Sequence, residues 1–334
     1  MKLGLQIQGE AVSMAEIVDY GTQVEAAGFD TVWLSEAWRD SLVSLTAIAC
    51  STTTLRLGSN ITQWTRSLPN LDLASGDLQE LSGGRFRLGL GPMPKEWNED
   101  WHGIPYGQPV RRMREYVTAL RAMRSASFGN PVSFQGEVFQ IKDYIRLNGP
   151  LATPPPTLLA VTRVGMARLA GEIADGVNYN TMVSNDYARD VLRPVVEEGA
   201  LAAGRTLADV QQLVCPITAV AETTEEALRR AKHQLGFYAG MVPYFDDVAR
   251  FAGHYDAVMA AKAAFATDPF KAIELLPDDL VEQLTIFGTP DEVRDKVKRY
   301  EGWADEISLV TPSFLLEDGA IKDGYDALID AFRR

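Results

Sequence analysis

Strand and helix signals alternate in this chain almost from end to end, and that alternation constrains its fold more than any other feature. Short, apolar, β-prone runs at residues 3–8, 31–35, 55–62, 86–90, 157–161, 177–180, 212–220 and 306–310 read as eight strands. Amphipathic stretches with clear punctuation lie between them. Ser13 stands where an N-cap belongs, Pro69 opens a helix at its tolerated first turn, and Ser82-Gly83-Gly84 ends that helix. Eight strands alternating with helices predict one α/β domain over residues 1–334, a single (β/α)8 TIM barrel. A doubly wound open sheet is the alternative. Insertions after strands 4 and 7 interrupt the repeat, with inserted segments at about 92–109, 126–150 and 240–276. The first is a loop of lid length, the second carries a small hairpin near 134–139, and the third reads as a helical excursion.

One αβ step is explicit. In Leu81-Ser82-Gly83-Gly84-Arg85-Phe86-Arg87-Leu88-Gly89-Leu90-Gly91, glycine stops a helix and a buried strand follows. Gly89 and Gly91 then leave the strand's carboxyl end bare, so that another molecule can approach its backbone. Active sites of barrels gather at these carboxyl ends.

Charge and composition remove several partners. A net charge of −13 opposes nucleic-acid binding. No apolar run reaches the about 18 residues of a membrane helix, and Met1-Lys2-Leu3 enters a strand without a signal-peptide core. Cys50 and Cys215, both in apolar surroundings, read as two buried thiols of a cytoplasmic protein.

The strand ends also limit the chemistry. None carries a lysine for Schiff-base catalysis, and His102, His233 and His254 lie in unrelated segments, which disfavours a metal site. There is no Gly-x-Ser-x-Gly elbow and no P-loop, and Gly89-x-Gly91 runs into Pro92, not into a helix. What remains is Gln6, Gln8, Ser35, Glu36, Asn60, Thr62, Gly91, Thr162, Asn178 and Asn180, with Trp33, Trp38, Trp64, Trp97 and Trp101 in or after strands two to four. Amides and indoles suit a flat ring system whose own electronics carry the reaction. That fits redox chemistry better than hydrolysis.

Five segments carry a family resemblance. They are Glu25-Ala26-Ala27-Gly28-Phe29-Asp30-Thr31-Val32-Trp33, Leu57-Gly58-Ser59-Asn60-Ile61-Thr62, the run from Leu81 to Gly91, Ala170-Gly171-Glu172-Ile173-Ala174-Asp175-Gly176 and Gly288-Thr289-Pro290-Asp291-Glu292-Val293. In this order the chain resembles the luciferase-like monooxygenase superfamily. That superfamily contains flavin-dependent monooxygenases and oxidoreductases that use the deazaflavin coenzyme F420. Ser35-Glu36-Ala37-Trp38, Trp101-His102-Gly103 and Arg112-Met113-Arg114-Glu115-Tyr116 look more like the F420 branch, which includes methylenetetrahydromethanopterin reductase. In that branch an acid–histidine pair often follows strand two; here the acid is Glu36 and Ala37 replaces the histidine.

The resemblance and the residues together nominate a site. Glu36 is the candidate catalytic or cofactor-contacting acid, walled in by Trp33 and Trp38; its alternative is a structural carboxylate that caps the next helix or pairs with Arg39. The resemblance implies a non-prolyl cis peptide at Asn60-Ile61, flanked by Ser59 and Thr62, beneath the cofactor ring. Thr162-Arg163-Val164-Gly165-Met166 joins strand five to its helix, and free amides there suit a cofactor phosphate. Gln8, Gly91, Asn178 and Asn180 complete the expected cofactor contacts, and Trp38, Trp64, Trp97 and Trp101 the substrate side. Arg111, Arg112 and Arg114 read as a solvated helix face with an Arg111/Glu115 pair, and residues 241–245 as an apolar spot at a pocket or dimer contact.

The expected function is hydride transfer between coenzyme F420 and a small organic substrate, by a cytoplasmic homodimer with no nucleic-acid or membrane partner. The alternatives are an FMN-dependent monooxygenase and a non-catalytic flavin-binding accessory protein.

Overall fold

Ser13 and Glu16 exchange side-chain-to-amide hydrogen bonds, so the first helix opens on a complete capping box. The computed structural model describes residues 1–8, 12–241 and 245–334. Its first half runs β1 (Lys2–Ile7), α1 (Met14–Ala26), β2 (Thr31–Leu34), α2 (Ser41–Ser51), β3 (Arg56–Ser59), β4 (Thr62–Gln63), α3 (Leu68–Leu81), β5 (Phe86–Gly91) and α4 (Pro109–Arg124). The middle comprises β6 (Val132–Gln135), β7 (Gln140–Tyr144), β8 (Thr157–Val161), α5 (Val164–Ile173), β9 (Gly176–Tyr179) and α6 (Arg193–Ala202). Then follow β10 (Gln211–Val214), β11 (Ile217–Val220), α7 (Thr224–Met241), α8 (Asp246–Phe251), α9 (Tyr255–Phe265), α10 (Pro269–Glu274) and α11 (Asp278–Leu284). Last come β12 (Thr285–Gly288), α12 (Pro290–Val297), β13 (Glu306–Val310) and α13 (Asp318–Ala331).

The sheet runs β1-β2-β3-β5-β8-β9-β10-β13 and closes by β13 pairing with β1, from Lys2↔Glu306 to Gln6↔Val310. All these pairs are parallel, as the alternating sequence predicts. The antiparallel β6–β7 hairpin lies outside the barrel, in the inserted segment at 126–150.

Two departures from the sequence reading concern strand seven. The run at 212–220 is not one strand, because Cys215 and Pro216 divide it. Proline has no amide to give the ladder. Below the break, β10 pairs with β9 and β13; above it, β11 touches β13 only at Ile217↔Val310 and pairs instead with β12. That partner strand is missing from the sequence reading altogether. The expected excursion at 240–276 begins inside α7, and Val242, Pro243 and Tyr244 of the apolar spot fall outside the described residues.

The barrel base is plugged by Trp33, whose Nε1 donates to Glu306 at 2.9 Å in a fully buried contact. Arg56 and Arg87 approach the same carboxylate at 3.6 and 3.7 Å, and Gln211 donates to it at 3.1 Å. A Cβ on Gly58 would stand 2.1 Å from the Trp33 ring, so glycine at this position makes room for the indole. Leu158, Leu213, Cys215 and Val310 complete this inner cluster. Cys50, expected to be buried, is exposed on α2. Among the described residues no helix is long and apolar enough to cross a membrane.

Candidate active site

A cavity of ≈ 580 Å³ opens at the carboxyl ends of the barrel strands. Its floor is a chain of side-chain amides. Asn60 Nδ2 donates to Gln6 Oε1 at 2.5 Å, Asn178 donates to Asn60 Oδ1, and Cys215 Sγ donates to Asn178 Oδ1 at 3.1 Å. Gln8 extends the chain: Ser35 Oγ donates to its Oε1 at 3.1 Å, and its Nε2 donates to the Tyr238 hydroxyl at 3.1 Å. Burial pushes the Cys215 thiol well above the ordinary range, against a hydrogen bond from Asn60, so it serves the network as a neutral donor.

The peptide bond Asn60-Ile61 is cis, as the family resemblance implies. Ile61 lines the cavity and is accommodated by the glycines of β5. A Cβ on Gly91 would lie 2.0 Å from Ile61 Cδ1, and one on Gly89 would lie 2.1 Å from the Ser59 carbonyl oxygen. The bare rim read from the sequence is therefore filled from within. Gly91 gives its space to Ile61 and does not line the cavity.

Glu36 is buried beside the cavity, and its carboxylate has partners that the sequence did not suggest. Ser41 Oγ donates to it at 2.8 Å, the Gln63 amide at 3.3 Å, and Arg66 through Nε and Nη2 at 3.1 and 2.8 Å. Trp33 is turned to the barrel base, so an arginine and not a second indole encloses this acid. Neither structural alternative applies as expected: Asp40 caps α2, and Arg39 donates to the Val12 carbonyl. Asp40 also takes Arg66 Nη2 at 2.7 Å. Burial raises the Asp40 carboxyl, and hydrogen bonds from Arg66, Val43 and Leu42 more than offset this and hold it below its ordinary range.

At the opposite side the start of α5 faces the cavity. Thr162, Arg163, Val164, Gly165 and Met166 all line it, and no side chain caps the helix amides. Arg163 reaches across to Asp247 of α8 at 3.1 Å, a pair on the cavity lining. Asn180 lines the same side, its Oδ1 accepting from the Met182 amide at 3.0 Å.

Of the expected tryptophans, Trp38 and Trp97 line the cavity. Trp64 does not: it is fully buried, with Nε1 donating to Asn98 Oδ1 at 2.5 Å, and anchors the 92–109 loop. Trp101 stacks on Trp97 at 4.4 Å and faces a shallow neighbouring depression with His102. Ser59 and Thr62 lie beneath the lining, Ser59 Oγ bridging to the Gly89 backbone at 3.1 Å. Arg111 and Arg114 of α4 are exposed, as expected of a solvated face, and each arginine of the cluster has a partner. Arg111 pairs with Glu137, Arg114 pairs with Glu172, and Arg112 lies over the Trp64 ring, while Glu115 accepts three amides of the β6–β7 turn.

Sequence reasoning missed Met93, Tyr106, Phe237, Tyr238, Asp247 and Phe314, which line the cavity from distant segments. Met93 had no local signal, yet it holds a positive φ of 55°.

Comparison with known proteins agrees with the barrel fold. The model of the luciferase-like monooxygenase family matches residues 1–306. An uncharacterised protein of Mycobacterium tuberculosis is 30% identical, over 96% of this chain and 95% of its own length. The 5,10-methylenetetrahydromethanopterin reductase of Methanolobus tindarius is 28% identical, over 84% of this chain and 85% of that protein. Among solved structures, the coenzyme F420-dependent tetrahydromethanopterin reductase of Methanopyrus kandleri superposes with a TM-score of 0.83 at 23% identity, covering 99% of both chains. The oxygenating constituent of 3,6-diketocamphane monooxygenase from Pseudomonas putida, in complex with FMN, superposes with a TM-score of 0.71 at 18% identity, covering 100% of this chain and 97% of that one.

Proposed function

This chain belongs to the luciferase-like monooxygenase family, and we propose that within it the protein is a coenzyme F420-dependent oxidoreductase acting on a small organic substrate. The observation that carries this reading is the meeting, in one cavity, of an uncapped helix start with a floor of side-chain amides. A deazaflavin cofactor has a matching pair of ends, an anionic phosphate and a flat ring with polar edges. Thr162, Arg163 and the first amides of α5 would hold the phosphate. Gln8, Asn60, Asn178 and Asn180 would meet the ring, with Ile61 against one face. When bound, coenzyme F420 supplies hydride chemistry at its ring.

The protein's own share is orientation and exclusion of water. The amides of Gln6, Gln8, Asn60 and Asn178 are fixed by one another, so they meet a ring edge without reorganising. Trp38 and Trp97 close over the substrate side. Glu36 in this reading is a cofactor-side acid whose acceptor positions are occupied by Ser41, Gln63 and Arg66. It holds the loop after β2 against β4.

The same fold accommodates FMN in the Pseudomonas neighbour, which makes FMN the rival cofactor. F420 is favoured because the methylenetetrahydromethanopterin reductase aligns across most of the chain. Titrating the protein with F420 and with FMN, followed by fluorescence, tests the choice. Saturable F420 binding and weak FMN binding are expected; tight FMN binding with no affinity for F420 would overturn the reading.

A further inference from the structure

The cavity has a second face whose chemistry is unlike its floor. Trp38 follows β2, Trp97 follows β5, Phe237 lies on α7 and Phe314 follows β13, and all four rings line the cavity. They are joined in one strip. Phe237 and Phe314 stack at 3.8 Å between centroids, Phe314 meets Trp38 at 5.9 Å, Trp38 meets Trp97 at 5.3 Å, and Trp97 stacks on Trp101. Four separate segments thus converge to build one aromatic wall.

We propose that this wall selects a flat, uncharged, largely apolar substrate carried on an aromatic or polycyclic frame. The inference rests on reading the amide floor and the α5 start as the cofactor end.

Charge is the first argument. Among the described lining residues the formal charges are Glu36, Arg163 and Asp247, and each already has a partner. Arg163 and Asp247 neutralise one another at the α5 side, and Arg66 holds Glu36. An ionic substrate against the rings would be desolvated with no counter-charge to receive it.

Ring geometry is the second. Stacking covers one face of Phe237, Phe314 and Trp97 with another ring, which removes negative π-surface from the wall. A cage for an ammonium ion presents open ring faces, whereas edges and partly covered faces suit another π-system. The third argument is exposure: Trp38, 48% exposed in all, lines the cavity as well as the neighbouring depression, so an apolar ligand in the cavity removes part of the indole surface from water.

Three probes of one shape separate the possibilities: 2-acetylnaphthalene, 2-naphthoate and (2-naphthylmethyl)trimethylammonium. Calorimetric titration of the full chain, as purified and again with F420 added, should show the ketone binding at least about tenfold tighter than either ion. Phe314→Ala and Trp38→Ala should each weaken the ketone by roughly five- to tenfold. Trp38 is too exposed for its loss to unfold the protein, and an unchanged melting temperature checks this. Binding of either ion as tightly as the ketone would overturn the proposal, as would ketone affinity indifferent to both substitutions. A protein that binds F420 without the neutral preference refutes this inference alone. One that keeps the preference and ignores F420 refutes the cofactor reading alone.

Discussion

Arg66 holds Glu36 through Nε, shared between Oε1 at 3.1 Å and Oε2 at 3.3 Å, and through Nη2 to Oε2 at 2.8 Å, while the same Nη2 reaches Asp40 at 2.7 Å. One guanidinium thus serves two carboxylates at the cavity edge. Arg66→Met should destabilise the fold by about 1–3 kcal/mol, since it strands the buried Glu36. Urea denaturation measures this. Glu36→Gln keeps one acceptor oxygen and turns the other into a donor, so it loses part of the hydrogen bonding. It should lower turnover more than F420 affinity, and equal turnover would remove Glu36 from the reaction.

On the proposed placement of the cofactor phosphate at Arg163, Asp247 would compete with it for that guanidinium. The pair is half exposed, so its strength lies within about 0.2–1 kcal/mol. Asp247→Asn should therefore tighten F420 binding by about two- to fivefold, and Arg163→Ala should loosen it by a similar or larger factor. Unchanged affinity in both variants places the phosphate elsewhere.

The two glycines of β5 should tolerate alanine unequally. At Gly91 the added methyl meets the tip of Ile61, which can turn away; at Gly89 it meets the Ser59 carbonyl, which cannot without moving the strand. Gly89→Ala should cost about 3 kcal/mol or more, and Gly91→Ala about 1–2 kcal/mol together with a change in cofactor affinity as Ile61 shifts. Equal losses of stability would contradict this packing.

Acid should loosen the frame at two carboxylates far from the cavity. Glu25 accepts the amides of Thr53, Thr54 and Leu55, and Glu115 those of Glu137, Val138 and Phe139. At each, burial opposes ionisation and the hydrogen bonds outweigh it, so the carboxyl lies below its ordinary value of 4.5. Because the unfolded chain takes up these protons first, the stability they give is complete above about pH 4.5 and is lost as pH falls through the lower, folded value. Glu25→Gln and Glu115→Gln should each cost about 1 kcal/mol at pH 7 and flatten the acid limb of the stability curve.

What the sequence reveals is local, and what it hides is set by closure of the barrel. Ser13, Pro69 and Thr289 mark helix starts because their chemistry acts on the next turn. Strand β8 is read to the residue, since triple proline and an open helix start bound it on either side. By contrast β12 is a four-residue strand that directly follows a helix, with no turn residue between them. Cys50 shares the outward face of α2 with Val43, one of several apolar residues around that helix, so its surroundings in sequence mislead about its burial. Within the site, Gln8, Asn60, Asn178 and the start of α5 could be nominated because each stands at a strand end. Phe237 and Phe314 could not. One resembles a core residue of a helix and the other lies in a loop, and only the closed ring of strands makes them stack.

The break at Cys215 and Pro216 divides strand seven into two parts with different duties. The lower part is committed to the ladder on both sides, and any change there must respect its neighbours' register. The upper part has left β9, so beyond Tyr179 the cavity is fenced on that flank by side chains from loops and from α7. A fence of side chains can be rewritten one residue at a time. Diversification of what the protein accepts can therefore proceed on this flank, while the frame that holds the reactive centre stays unaltered.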